Sequence, residues 1–339
     1  MKSRKPNIKD IARQTGLSIT TVSRVLNGKA EQYRISEKSK QKVLKAARQL
    51  NYLPNQVAVN LRLGKSHTIA LIIPSLTNPF FAGIASSINN ELRDLGYITI
   101  LGDSDEKLEI EENILKQMVS RRIEGLIIAP CGEEWAHIKR YYDQGMPVIC
   151  IDRYFEHAGL PYVSTDNYYG AYEVARYLIN QGHTNIACIQ GVKQSMPNKQ
   201  RIKGFLHAMK EAGIQSYSIT GDAFNVQNGY LETKLLLRKK ERPTAIFTLS
   251  NTIAMGCMNA LKEENLNIPE DISLITFDNH PYLEYLATPL SCVAQPVDNI
   301  CKIAIKFLFS QLNKTEMVTQ DVLLKPEIKF RESVKRIVS

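Results

Sequence analysis

The sequence predicts an α/β protein: a small all-α helix-turn-helix head joined to a two-lobed, doubly wound parallel-sheet body. Three observations carry this. The first 65 of 339 residues hold 15 Lys/Arg against 3 Asp/Glu, a net charge of +12, and contain no Cys, Phe or Trp. The rest of the chain is nearly neutral at −3, and at residue 67 its pattern changes to short apolar runs alternating with helix-length segments. Seven such runs exceed one average sheet of about 5–6 strands, which divides the body into two lobes.

In the head, Ile8, Ile11 and Ala12 recur at helical spacing, and Gly16 suits the turn that follows. Ser18 caps a second helix, Ile19 to Leu26, which stops near Asn27-Gly28. Val22, Val25 and Leu26 form its inner face and leave Ile19, Thr20, Ser23 and Arg24 outward. Ser36 caps a third helix whose inner face is Val43, Leu44, Ala47 and Leu50. Leu53-Pro54-Asn55 ends it, and Asn55 caps a short segment from Gln56 to Leu63. Two helices joined by a tight glycine turn on a basic module indicate nucleic-acid binding, with the second helix in the major groove. The Arg24 fork matches guanine O6 and N7, and Ile19 and Thr20 can touch thymine methyls or base edges. Ser18, Thr21, Ser23 and Asn27 suit phosphate oxygens. The plainer alternatives are helix caps for the hydroxyls and a surface ion pair for Arg24.

The body strands are expected at Ile69–Ile73, Ile98–Leu101, Gly125–Ala129, Val148–Ile151, Ile186–Ile189, Ala245–Leu249 and Ile272–Phe277. In open α/β sheets, ligands bind beyond the carboxyl ends of the strands. Polar and aromatic residues gather there: Asn78-Pro79-Phe80-Phe81, Asp152-Arg153, Asp278-Asn279, and Gln295 near a return between lobes. Core packing of the two phenylalanines, a local Asp152–Arg153 ion pair and a capping role for Asp278 are the competing readings.

Several function classes drop out. No apolar run approaches the ~18 residues of a membrane span. The basic N-terminus lacks the apolar stretch of a secretory signal, so a cytoplasmic protein is expected. The six cysteines (131, 150, 188, 257, 292, 301) form no CxxC or Cys/His cluster, and the six histidines lack ligand spacing; no metal is expected. Gly64-Lys65-Ser66 looks like the end of a phosphate loop, but Val59 stands where its first glycine belongs and a strand follows. With no GxGxxG, HExxH or GxSxG, no catalytic residue and no cofactor are expected, and a sugar-processing enzyme is a remote alternative.

Ile8-Lys9-Asp10-Ile11-Ala12, Gly16-Leu17-Ser18, Thr21 to Asn27 and Leu50 to Asn55 together resemble the head of the lactose-repressor family of bacterial transcription regulators. The resemblance implies that the segment after Pro54 is a hinge helix and that Leu61 is a wedge in a central minor-groove step. It implies a body of the periplasmic sugar-binding type. There Phe80, Phe81 and Phe224 would sandwich a ring, and Asp152, Arg153, Arg201, Asp278 and Gln295 would bond its hydroxyls. It further implies a cytoplasmic homodimeric repressor on a pseudo-palindromic operator, tuned by a sugar or sugar derivative. A purine or a protein co-effector is the alternative; the purine-binding member carries tryptophan where Arg153 stands. One departure is Ser250-Asn251, where the family has Asn-Asp; either residue can still hydrogen-bond, but the family's carboxylate contact is not expected there. The implied domains are a head (1–53), a hinge (54–66), a first lobe (67–161 plus 292–323) and a second lobe (162–291 plus 324–339).

Overall fold

The computed structural model describes residues 6–52, 65–314 and 321–337, and the chain divides into two compact units, Met1–Ser66 and His67–Ser339. In the first unit, helix α1 (Ile8–Thr15) starts with a capping box. The Asp10 carboxylate accepts the Asn7 N–H at 2.9 Å, and Asn7 Oδ1 accepts the Lys9 N–H at 2.9 Å. It ends at Gly16, whose φ of +67° is the left-handed conformation that favours glycine. Ser18 caps α2 (Ile19–Leu26) and Ser36 caps α3 (Glu37–Gln49). Ile11, Val22, Val25, Val43, Ala46 and Ala47 are the buried core of this unit. The expected hinge helix and Leu61 lie outside the described residues.

In the second unit, β1 (Thr68–Ile73), β2 (Ile98–Asp103), β3 (Gly125–Ile128), β4 (Val148–Ile151), β5 (Tyr162–Thr165) and β11 (Asp321–Leu324) form a parallel sheet in the order β11-β5-β4-β3-β1-β2. A second sheet runs β12-β10-β9-β8-β6-β7. It is built from β6 (Ile186–Ile189), β7 (Tyr217–Thr220), β8 (Ala245–Thr248), β9 (Ser273–Phe277), β10 (Ser291–Ala294) and the antiparallel β12 (Glu327–Lys329). The expected strands are all present; a strand covered on both faces reads as a near-continuous apolar run, and β1, β3, β4, β6, β8 and β9 are buried nearly throughout, whereas β2 is a partly exposed edge strand. Helices α4 (Pro79–Asp94) and α11 (Val297–Leu312) cover one face of the first sheet, and α5 (Leu108–Ser120) and α6 (Ala136–Asp143) the other. For the second sheet the pairs are α7 (Asn167–Asn180) with α8 (Met196–Glu211), and α9 (Val226–Leu237) with α10 (Asn251–Glu263).

The lobe limits need correcting. Tyr162–Thr165 pairs in the first sheet, with Cys150–Ile151 on one side and Asp321–Leu324 on the other. Ser291–Ala294 pairs with β9 in the second. The chain therefore crosses between lobes after Thr165, after Ala294 and after Leu324. Which sheet a short strand joins depends on backbone partners far away in sequence, not on its own residues. Both sheets reverse direction at equivalent places, β1/β3 and β6/β8, and such a switch point opens a crevice beyond the strand ends.

Candidate effector cleft and nucleic-acid interface

β4 and β9 hold equivalent positions in the two sheets, and each runs directly into an aspartate in the left-handed region: Asp152 at φ +58° and Asp278 at φ +72°. Asp tolerates this conformation better than most residues, and it turns both carboxylates out of the strand line. Pro79 sets the first turn of α4, with Asn78 as its cap, and brings Phe80 and Phe81 to the same place. Arg201 comes from α8, Phe224 from the loop before α9, and Gln295 from the crossing after β10. All eight expected effector residues line one cleft of about 280 Å³, together with Asn78, Pro197 and Ser250.

The polar groups form two connected sets. Gln295 Nε2 donates to Asp278 Oδ1 at 2.6 Å, and Gln295 Oε1 accepts the Thr165 hydroxyl at 2.6 Å. The Asn251 N–H, opening α10, donates to Asp278 Oδ2 at 3.4 Å. Arg201 is held from below: its Nε donates to Asn167 Oδ1 at 2.7 Å, its Nη1 to the Leu249 carbonyl at 2.6 Å, and its guanidinium lies 3.7 Å from the Phe277 ring centroid. Arg153 forms a bidentate pair with Glu106, both bonds 2.7 Å, rather than pairing with Asp152. Its Cζ is 5.7 Å and 6.0 Å from the ring centroids of Phe81 and Phe224.

Asp152 is 4% exposed, and its Oδ1 is buried with no hydrogen-bond partner among the described residues. Burial pushes its pKa up to about 6, against the pull of Arg201 and Arg153. Burial raises Asp278 too, opposed by Arg201, and lowers Arg201. Burial also opposes the charge of Arg153, but Glu106 overrides it and the pKa is raised.

The aromatic residues divide their roles. Phe81 lines the cleft while packing into the first-lobe core, in an edge-on pair with Phe80 at 5.1 Å. Phe224 packs against Gly191, where a Cβ would stand 2.2 Å from its ring carbons and displace the ring. Asp278 does support the start of a helix, as the competing reading held, though α10 rather than its own next segment. Ser250 caps α10 and also lines the cleft, and Asn251 Oδ1 is buried with no hydrogen-bond partner among the described residues. Sequence reasoning missed Glu106, Asn167 and Thr165. Glu106 follows the end of β2 as Asp152 follows β4, and that placement was its available signal.

On the head, Val22 and Val25 are buried, whereas Ile19 is 45% exposed and Thr20 is exposed. Ile19, Thr20, Ser23, Arg24 and Asn27 line one concavity with Lys29 and Tyr33. The Arg24 guanidinium stacks 3.8 Å from the Tyr33 ring centroid, a partner the sequence did not suggest. Ser18 accepts the Thr21 N–H at 3.1 Å and shares a 2.8 Å hydrogen bond with its hydroxyl. Asn27 Nδ2 donates to the Ser23 carbonyl at 2.5 Å, so Ser18 and Asn27 also hold the ends of α2. Among the described residues no His/Cys/Asp/Glu group is placed to hold a metal, and no helix is long and apolar enough to cross a membrane.

Residues 7–55 match the family model described as bacterial regulatory proteins, lacI family, and residues 66–330 match periplasmic binding proteins and sugar binding domain of LacI family. The chain is 30% identical over 335 residues to the HTH-type transcriptional repressor PurR of Vibrio parahaemolyticus, covering 97% of this chain and 99% of that one. The structure of the lac repressor dimer bound to operator and the anti-inducer ONPF has the same fold, with a TM-score of 0.88 at 23% identity over 98% of this chain and 100% of that one. A LacI family transcriptional regulator from Enterococcus faecium with bound ribose aligns at a TM-score of 0.73 and 28% identity, over 80% of this chain and 100% of that one.

Proposed function

The chain belongs to the lacI family of bacterial regulatory proteins, and from that premise we propose a non-catalytic, cytoplasmic repressor that binds a pseudo-palindromic operator as a homodimer and responds to a neutral sugar between its lobes. The observation that carries the sugar is the composition of the cleft. Carboxylate and guanidinium groups ring Phe80, Phe81 and Phe224, and the buried Asp152 Oδ1 has no donor among the described residues. A sugar offers apolar ring faces to the aromatics and hydroxyl donors to the carboxylates. Asp152, Asp278 and Glu106 outnumber Arg153 and Arg201, so the charge balance disfavours phosphates and uronates. The ribose-bound relative supports the same class. Arg153 is tied to Glu106 beside the Phe81 and Phe224 rings, which leaves it suited to hydroxyls rather than to stacking on a purine.

In this reading Arg24 reads guanine, Ile19 and Thr20 touch base edges, and Ser18, Thr21, Ser23 and Asn27 meet phosphates. Residues 1–53 are the head and 54–66 the hinge, with Leu61 the minor-groove wedge. Leu95, Ile98 and Leu101 on the first lobe, and Val226, Leu235, Met255 and Tyr285 on the second, are exposed apolar groups suited to a dimer interface. A ligand that prefers one arrangement of the lobes shifts operator affinity by that preference and no more. A thermal-shift screen of the full chain against neutral sugars, uronates, sugar phosphates and purines tests the ligand class. Neutral sugars should raise the melting temperature; a rise with purines or anionic sugars alone would overturn the assignment.

A further inference from the structure

Beside the inner cleft lies a second and larger cavity of about 740 Å³, and Arg153 lines both. Its first-lobe wall is the loop carrying Glu133 and Trp135 plus the segment Tyr154–His157; its second-lobe wall is the start of α8 with Gln194 and Lys199. Trp135 is the chain's one tryptophan, 38% exposed. Its ring is braced by Phe155, centroids 5.7 Å apart. The loop beneath it is fixed from the core: the fully buried Glu111 accepts the Cys131 N–H at 2.8 Å and bonds His137 Nε2 at 2.8 Å. Lys199 pairs with Glu133 at 2.6 Å and Gln200 donates to Glu156 at 3.5 Å, so both contacts bridge the lobes at this cavity. The exposed Gln194 side chain has no partner among the described residues.

A braced aromatic face, a ring of carboxylate and amide groups and a shared wall with the inner cleft are the features of a site for a second sugar ring. Resting on the sugar reading above, we propose that the effector is disaccharide-sized, with one ring in the inner cleft and the next on Trp135. In the inner cleft the aromatic and polar groups converge on one place, which suits a single ring. The second ring also meets groups from both lobes, which ties ligand length to lobe closure.

The test uses the full chain with matched probes: cellobiose, maltose, lactose and sucrose against glucose, galactose, fructose and ribose, by calorimetric titration and tryptophan fluorescence. At least one disaccharide should bind about tenfold more tightly than its own monosaccharides and shift the fluorescence. Trp135→Ala should remove that advantage and leave monosaccharide affinity unchanged, Trp135→Phe should restore most of it, and Gln194→Ala should weaken the disaccharide alone. Monosaccharides binding as tightly as every disaccharide, or Trp135→Ala weakening both sizes alike, would overturn the second subsite while leaving the sugar reading intact. An advantage for aryl glycosides without one for disaccharides would overturn it as well. Failure of sugars of either size to bind would sink the sugar reading itself.

Discussion

Asp278 is the cleft residue whose replacement separates ligand binding from folding most cleanly. Asp278→Ala would confound the two, because alanine is strained at a φ of +72°. Asp278→Asn keeps the shape, tolerates the left-handed backbone and retains an acceptor for the Asn251 N–H. It removes the charge that Gln295 Nε2 and the nearby Arg201 answer to. A ligand hydroxyl donating to an ionised carboxylate makes a bond worth about 1.5–3 kcal/mol, so affinity should fall roughly ten- to a hundredfold. Burial already disfavours the Asp278 charge, so the ligand-free melting temperature should hold or rise slightly. Calorimetric titration of wild type and variant at neutral pH, with denaturation scans in parallel, reads both quantities. Equal ligand affinities beside a lowered ligand-free melting temperature would refute the reasoning and leave Asp278 a structural support only.

Three further outcomes are expected. Asp152 has a folded pKa of about 6 against about 3.9 unfolded. The folded chain thus holds this proton more tightly, and raising the pH from about 4 to about 6 costs stability, at most roughly 3 kcal/mol. A sugar hydroxyl donates to the ionised form, so affinity should decline below about pH 6 in wild type and depend less on pH in Asp152→Asn, where Asp278 still titrates; titrations at several pH values check this, and parallel pH profiles would count against it. Arg24→Ala should cost about 1–3 kcal/mol on the cognate site and relax one base pair per half-site in a randomised-operator selection, whereas an unchanged preference would remove Arg24 from base reading. Leu61→Ala should weaken operator binding and reduce bending in a permuted-site gel shift without changing ligand affinity; an unaltered bend angle would contradict the wedge.

The sequence disclosed what local chemistry determines. Ile69–Ile73 is apolar without a break, and Leu274–Phe277 is broken only by Thr276, because both sheet faces are covered; this made them visible as strands. Asp152 and Asp278 were legible because they lie at strand ends, whereas Arg201 was reached through the family resemblance alone. The edge strand Tyr217–Thr220 was not seen, being only partly buried and alternating with polar residues. Tyr162–Thr165 and Asp321–Leu324 were missed because they pair with each other across a long stretch of sequence. The same non-local pairing misplaced the lobe limits. Glu106 was hidden among the charged neighbours Asp103, Asp105 and Lys107, and nothing local says that its carboxylate reaches Arg153. Tyr33 was passed over because it lies in the turn segment after α2, which has no periodicity to connect it with Arg24 in the last turn of that helix.

The central claim is that occupancy of the cleft is read out at the operator. It is tested most directly by fluorescence-anisotropy titration of the full chain onto a DNA site selected from a random pool, with and without the sugar that the thermal screen identifies. The account predicts that saturating sugar changes operator affinity about 5–150-fold, that operator DNA changes sugar affinity by the same factor, and that Asp278→Asn shifts the required sugar concentration upward. Operator affinity identical in the presence and absence of bound sugar would contradict it.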